Sequence, residues 1–461
     1  MTNVVPSALS KAPSAPQPPT ESTTSAFWER LLVAVIVLAW SATFVADFRT
    51  ALGLLMAIGF GLAAIGLRYP RFGLLGVGML CTLNEMAAPL LLNAGGVWRW
   101  NAVNYWLLLV ALVFSPRLLR LGRWQSRTLL AFTLLLGSEL FVSPDVESGL
   151  QAVFAIVAAF GLLIYFRRVG HDVEAWYWLG VVSGVLAAGA GAAFLLQQGW
   201  LPDVNANVWS RVPLTGMLAI CLAFVATVRA PRHGLALALL AVVNGLWVFL
   251  SGSRGNMLVA VVCLVFLLAM MPPRRALLFT IVAALISLLV VSQFTMLEEK
   301  AVGRLRLLAD PSKSLRTRVS GRADLALGAW YMFRDHPFGV GTGGFSTTWT
   351  DLGPREGMTG FHRFRWTAAH SGWMKVLAEN GFPGIALLSV YVLSFAASGW
   401  RTRTLELRWL GSAVTAVLAV AWVSADFQSK AFWLFAAGGT ELLERHAIWS
   451  ARRLGRSVAR G

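Results

Sequence analysis

Residues 256–295 read NMLVAVVCLVFLLAMMPPRRALLFTIVAALISLLVVSQFT. Two uncharged apolar runs, 256–271 and 276–295, flank a short connection that holds Arg274 and Arg275. Each run approaches the ~20 residues that cross a bilayer core as a helix. Neither alternates apolar and polar residues in the way a membrane β-barrel strand does. The pair therefore reads as two membrane-spanning helices joined by an arginine-marked turn.

The same pattern repeats along the chain. Apolar segments fall at about 28–46, 51–67, 72–92, 102–115, 128–143, 148–166, 176–197, 212–228, 235–251, 256–271, 276–295, 371–398, 409–424 and 431–444. Several are short for a full span, so about 12–14 spans are expected. The fold class is all-α: a polytopic transmembrane helix bundle with a large helical periplasmic loop. Composition agrees. Of 461 residues, 57% are hydrophobic and 13% charged, which is too little charge to cover a soluble surface. The net charge of +17 does not point to nucleic acid, because most arginines sit in short loops between apolar segments, where they orient spans. Cys81, Cys221 and Cys263 all fall in apolar segments, contain no CxxC pair, and read as packing residues.

Arginine distribution sets the expected topology. One alternate set of loops carries Arg68 and Arg71, Arg117 to Arg127, Arg167 and Arg168, Arg229 and Arg232, Arg274 and Arg275, and Arg401 to Arg408. The positive-inside rule places that set and both termini in the cytoplasm. The expected organisation is a disordered cytoplasmic tail at 1–27, a bundle of about 11 spans at 28–295, and a large periplasmic loop at 296–370. C-terminal transmembrane helices at 371–444 and a basic tail at 445–461 follow.

Three loops then face outward together: about 198–211, 251–255 and 296–370. The long one has eleven Lys/Arg against seven Asp/Glu, and loops of that length escape the positive-inside rule. Within it, Arg322–Arg334 has helical spacing, and Asp335-His-Pro-Phe-Gly-Val-Gly-Thr-Gly-Gly-Phe345 breaks the helix with a turn. Arg211 and Arg254 are exceptions to an arginine-poor outer side. Arg254, in Ser251-Gly-Ser-Arg-Gly255, is expected at a helix start, where a guanidinium and the helix terminus can both hold phosphate oxygens. A lipid-headgroup anchor is the structural alternative for both arginines.

His370 opens a helix that reaches Asn380 before a Gly381-Phe-Pro-Gly384 break. Its ordinary pKa near ~6.5 suits a general base, and capping is its structural alternative. Glu379, nine residues on, is expected on a similar side, orienting a partner or pairing with an arginine. His336 and His362 compete with His370 from weaker contexts. Glu85 and Glu139 lie in apolar segments, where each is expected to meet an arginine. No GxSxG, HExxH, Walker loop or carboxylate-rich cluster occurs, so no metal or cofactor is expected. A His/Arg site suits transfer from a diphosphate leaving group to a hydroxyl.

Ser251–Gly255, Arg322…Trp330…Asp335–Phe345 and His370-Ser…Leu377-Ala-Glu-Asn-Gly381…Gly384 together resemble the O-antigen ligase and polymerase superfamily of bacterial envelope glycosyltransferases, over roughly residues 200–400. The resemblance implies transfer of a glycan from undecaprenyl diphosphate at the periplasmic face of the inner membrane to a hydroxyl of lipid A-core. It implies His370 as base, with Glu379 assisting, and Arg254, Arg211 and, more weakly, Arg322 against the donor diphosphate. A polymerase or a protein O-oligosaccharyltransferase of the same superfamily is the near alternative. Fourteen segments are more familiar among polymerases, whereas ligases commonly have twelve. An envelope polysaccharide transporter is the distant alternative, since its path would need intramembrane charge that these spans largely lack.

Overall fold

The structure is a computed structural model, and it describes residues 48–67, 69–92, 124–196, 209–227, 231–293, 306, 310–313, 322–352, 355, 369–402, 404–424 and 429–458. The expected tail at 1–27, the apolar segments at 28–46 and 102–115, and His362 lie outside them.

Every other apolar segment is a helix. In chain order these are α1 (Phe48–Gly66), α2 (Pro70–Leu92), α3 (Trp124–Ser138, prolonged by a 3-10 turn at Glu139–Val142), α4 (Val146–Val169) and α5 (Val173–Leu196). Next come α6 (Arg211–Thr227), α7 (Pro231–Leu250), α8 (Arg254–Met270) and α9 (Pro273–Gln293). The long loop contributes α10 (Arg322–Asp335) and α11 (Phe345–Leu352), and the chain closes with α12 (Gly372–Trp400), α13 (Leu405–Ser424) and α14 (Lys430–Val458). The described residues are 87% helical with no strand, and the protein is an all-α membrane protein. Among them, 4 helices are long and apolar enough to cross a bilayer: Val146–Val169, Val173–Ala192, Gly372–Trp400 and Leu405–Val423. Arg211–Thr227, Gly234–Leu250 and Arg254–Met270 are apolar but shorter.

Small residues bring the helices together. A Cβ at Gly180 of α5 would lie 2.5 Å from the Ala223 methyl of α6, and one at Gly76 of α2 would lie 2.5 Å from the Ala63 nitrogen of α1. In lipid, where the hydrophobic effect does not drive helices together, such close packing is a main source of association. Buried polar side chains add ties. Asn244 of α7 donates to the Gly184 carbonyl of α5 at 2.9 Å. Glu85 of α2 accepts from the Ser429 hydroxyl at 3.2 Å and the Ala431 amide at 3.3 Å, at the start of α14. A carboxylate there meets the positive end of the α14 dipole. The three cysteines are buried and form no disulfide with one another.

α3 and α12 run antiparallel and are joined at both ends. Gln125 near the start of α3 donates to the Ser394 carbonyl at 3.1 Å and the Ser398 hydroxyl at 2.6 Å. At the other end Glu139 meets Asn380. That second junction is where the long loop attaches.

Candidate functional site

The loop is held by a break in α12. Gly381 has φ 59°, ψ −148°, and Pro383 follows it. Pro383 has no N–H, so the Glu379 carbonyl has no partner one turn on. The Gly341 amide fills the vacancy at 2.9 Å. The Phe382 amide turns away to the Pro337 carbonyl at 2.9 Å, and the Ala378 carbonyl takes the Val340 amide at 3.0 Å. The turn after α10 is thereby bonded, group for group, to the carbonyls that the break releases. Only glycine fits at the crossing. Gly339 has φ 94°, and a Cβ there would lie 2.1 Å from the Glu379 carbonyl oxygen.

Side chains complete the attachment. Glu379 is 2% exposed and its Oε1 accepts from the Phe345 amide at 3.3 Å. Asn380 donates to the Thr342 hydroxyl at 2.9 Å and, over a short contact, to Glu139. The Thr342 hydroxyl also reaches Glu139 Oε2 at 3.3 Å. Among the described residues Glu139 thus meets an amide and a hydroxyl, and not the arginine expected from the sequence. Sequence reasoning missed Thr342 and Asn380. A buried acid at the end of an apolar run, and an asparagine directly before a Gly-Phe-Pro-Gly break, were the available signals. Glu379 is also re-read. Nine residues are two and a half turns, which puts it on the opposite side of the helix from position 370. Its carboxylate serves the loop.

From this junction two helices run back in parallel tasks. α10 spans ~20 Å from Asp335 to Arg322, and the first part of α12 spans ~13 Å from Asn380 to Gly372, at 1.5 Å per residue. They share an apolar cluster that holds Leu325, Ala329 and Met332 of α10 with Ala369 and Ala378. His336 sits at the junction end of α10, a helix length from Arg322.

At the far end, three arginines are the first residues of three helices: Arg211 of α6, Arg254 of α8 and Arg322 of α10. The starts of α6 and α8 are clamped together, because the Asn256 amide donates to the Ser210 hydroxyl at 2.5 Å and both residues are buried. Burial first, then the charges of Arg254 and Arg211, hold the Arg322 guanidinium below the ordinary arginine range. Arg211 and Arg254 are therefore both within electrostatic reach of Arg322. Among the described residues, neither Arg211 nor Arg322 has a carboxylate partner. A cation at a helix N-terminus opposes the helix dipole, so nothing in helix stability accounts for three of them. An anion bound there would satisfy both the charges and the helix ends.

His370 stands beside α10 through its neighbours. Ala369 is buried in the α10 cluster, and Ser371 caps α12 by accepting from the Met374 amide at 3.4 Å while donating to the Trp422 carbonyl at 3.0 Å. His370 itself is exposed and has φ 50°, the one positive-φ residue other than glycine among the described residues. That conformation is uncommon and clusters at functional sites. Its two anchored neighbours impose it.

Comparison with known proteins gives one family. Residues 235–389 match the family model described as O-antigen ligase. The match includes Arg254, Arg322, His370 and Glu379, and it begins after Arg211. No curated protein matches the chain. In this all-α membrane protein the segment that runs from α7 across the long loop into α12, residues 235–389, is thus similar to the O-antigen ligase family.

Proposed function

We propose that the protein transfers a glycan from undecaprenyl diphosphate to a hydroxyl of lipid A-core, at the periplasmic face of the inner membrane. The observation that carries this reading is the group of three arginines on three helix starts, two of them without a carboxylate partner among the described residues. A diphosphate leaving group supplies negative charge to Arg211 and Arg322, which have no carboxylate partner among the described residues. In the reaction, His370 takes the proton of the acceptor hydroxyl, and that oxygen attacks the anomeric carbon of the donor. The bond from this carbon to the diphosphate oxygen breaks, and Arg211, Arg254 and Arg322 stabilise the departing lipid diphosphate. One direct displacement inverts the anomeric carbon. Glu379 and Glu139 position the loop without touching the reacting atoms.

The test uses purified protein in nanodiscs, an undecaprenyl diphosphate-linked glycan, and a lipid A-core acceptor, with chelator present. Product and released lipid diphosphate are followed for wild type and His370→Ala. Transfer by wild type is expected, with His370→Ala slower by ~10²–10⁴-fold, the usual range for a lost general base. Normal turnover in His370→Ala would remove the assignment of the base. Extension of a second lipid-linked repeat, with no transfer to core, would make the protein a polymerase.

A further inference from the structure

We propose that the turn after α10 is anchored in bilayer lipid through Phe338, with Phe141 and Phe382 beside it. Beyond the break in α12, the segment Phe382–Trp400 is ~28 Å long, close to the ~30 Å of a hydrocarbon core. α3 with its 3-10 turn, from Trp124 to Val142, has similar reach, and the two run antiparallel between the Gln125–Ser398 and Glu139–Asn380 ties. The break and the 3-10 turn therefore lie at one boundary of the hydrocarbon. Three chain segments meet there, and each exposes large apolar side chains. Phe141 is 93% exposed and Val142 70%, Phe338 78%, and Phe382 68%. They are neighbours, since the Phe382 amide bonds the Pro337 carbonyl and a Cβ at Gly341 would lie 3.1 Å from the Val142 carbonyl carbon.

Lipid is the occupant because the patch continues the exposed face of α12, a helix long and apolar enough to cross a bilayer. Below the boundary α3 exposes Leu134, and α12 exposes Val390 and Leu393. Phe382 and Leu393 are eleven residues apart, close to three full turns, and lie on one side of α12. Phenylalanine and leucine on the apolar side of an interfacial element bury at the boundary of headgroups and acyl chains. The loop that carries Arg322 is thus tied to the bilayer at its junction end, and its arginine end stands a helix length away.

The test places a fluorophore sensitive to its surroundings on Phe338→Cys and, separately, on Phe382→Cys and Thr350→Cys. The three native cysteines are buried, and Thr350 is exposed on α11. The proteins are reconstituted in nanodiscs and quenched either by lipid carrying a nitroxide near its headgroup or by iodide in water. Lipid nitroxide should quench the probe at 338 several-fold more than the probe at 350, and iodide should do the reverse. Phe382→Cys should behave as Phe338→Cys, and it carries the test if the other variant does not fold. Iodide quenching at 338 equal to that at 350 would overturn the anchor. So would shielding of 338 from both quenchers, the signature of a protein contact such as a second copy. Neither readout depends on turnover.

Discussion

The molecule contains two groups of arginines with opposite surroundings. Arg71 of α2 pairs with Asp172 at 3.0 Å and Glu174 at 3.2 Å, and Arg167 of α4 pairs with Glu444 of α14 at 3.2 Å. Arg445 of α14 bonds Glu441 and the Arg167 carbonyl. These arginines tie helices together, and each has its carboxylate. Arg211 and Arg322 have none among the described residues, and they stand where a helix dipole already repels them. The same side chain is structural where its charge is matched within the fold. Where the charge has no match among the described residues, the proposed function assigns the match to a bound anion.

The comparison breaks most sharply in kinetics. Arg211→Ala should lower kcat/KM for the lipid diphosphate donor by roughly 10²–10³-fold, the cost of losing a preorganised donor to a leaving oxyanion. The melting temperature should not fall. Steady-state assays on nanodisc protein check the first expectation, and a stability loss with intact kinetics would put Arg211 with the structural group.

Arg167→Met should do the opposite. Both members of the Arg167–Glu444 pair are largely buried, with side-chain exposures of 11% and 15%, and the orphaned Glu444 should cost about 2–3 kcal/mol. Denaturant titration would read the loss, while turnover per folded molecule should remain. Arg322→Gln sharpens the contrast further. Its folded pKa lies below the unfolded one, so the protonated form costs stability across neutral pH. Removing the charge should raise the melting temperature of the free protein and shrink the extra stabilisation by added lipid diphosphate. A lower melting temperature would show that Arg322 is matched after all.

The smallest effect belongs to a pair at the surface. The Arg355 guanidinium donates to Asp335 at 2.7 Å and holds its carboxyl below the usual carboxylate range. That contribution is present at neutral pH and fades as pH falls through the depressed value. Asp335→Asn should leave both turnover and melting temperature unchanged within error, because exposed pairs are screened.

Much of this was legible in the chain. Uncharged apolar runs have no water in the bilayer core to bond their backbone and must close those bonds internally, so helices follow directly from composition. Every apolar segment among the described residues is one. Arg254 was legible as a helix start because one apolar run closes before it and the next opens after it, whereas His370, expected to open α12, stands two residues before its first residue Gly372. The carboxylates were not legible. Glu139 and Asn380 are 241 positions apart, and no local pattern reports a hydrogen bond over that distance. Helical spacing can place Glu379 on a face of α12, but it cannot say that the loop amide of Phe345 will be waiting there.

By itself, then, the sequence determined the helices, their apolar character and the residue types able to do the chemistry, since these depend on local composition and on lipid as solvent. Only the tertiary structure decided that the charges of Arg211 and Arg254 reach Arg322, and that Glu139 and Glu379 hold the loop in place. Both outcomes rest on where distant helix ends meet, and that is set by close packing of small residues and by buried hydrogen bonds between segments far apart in the chain.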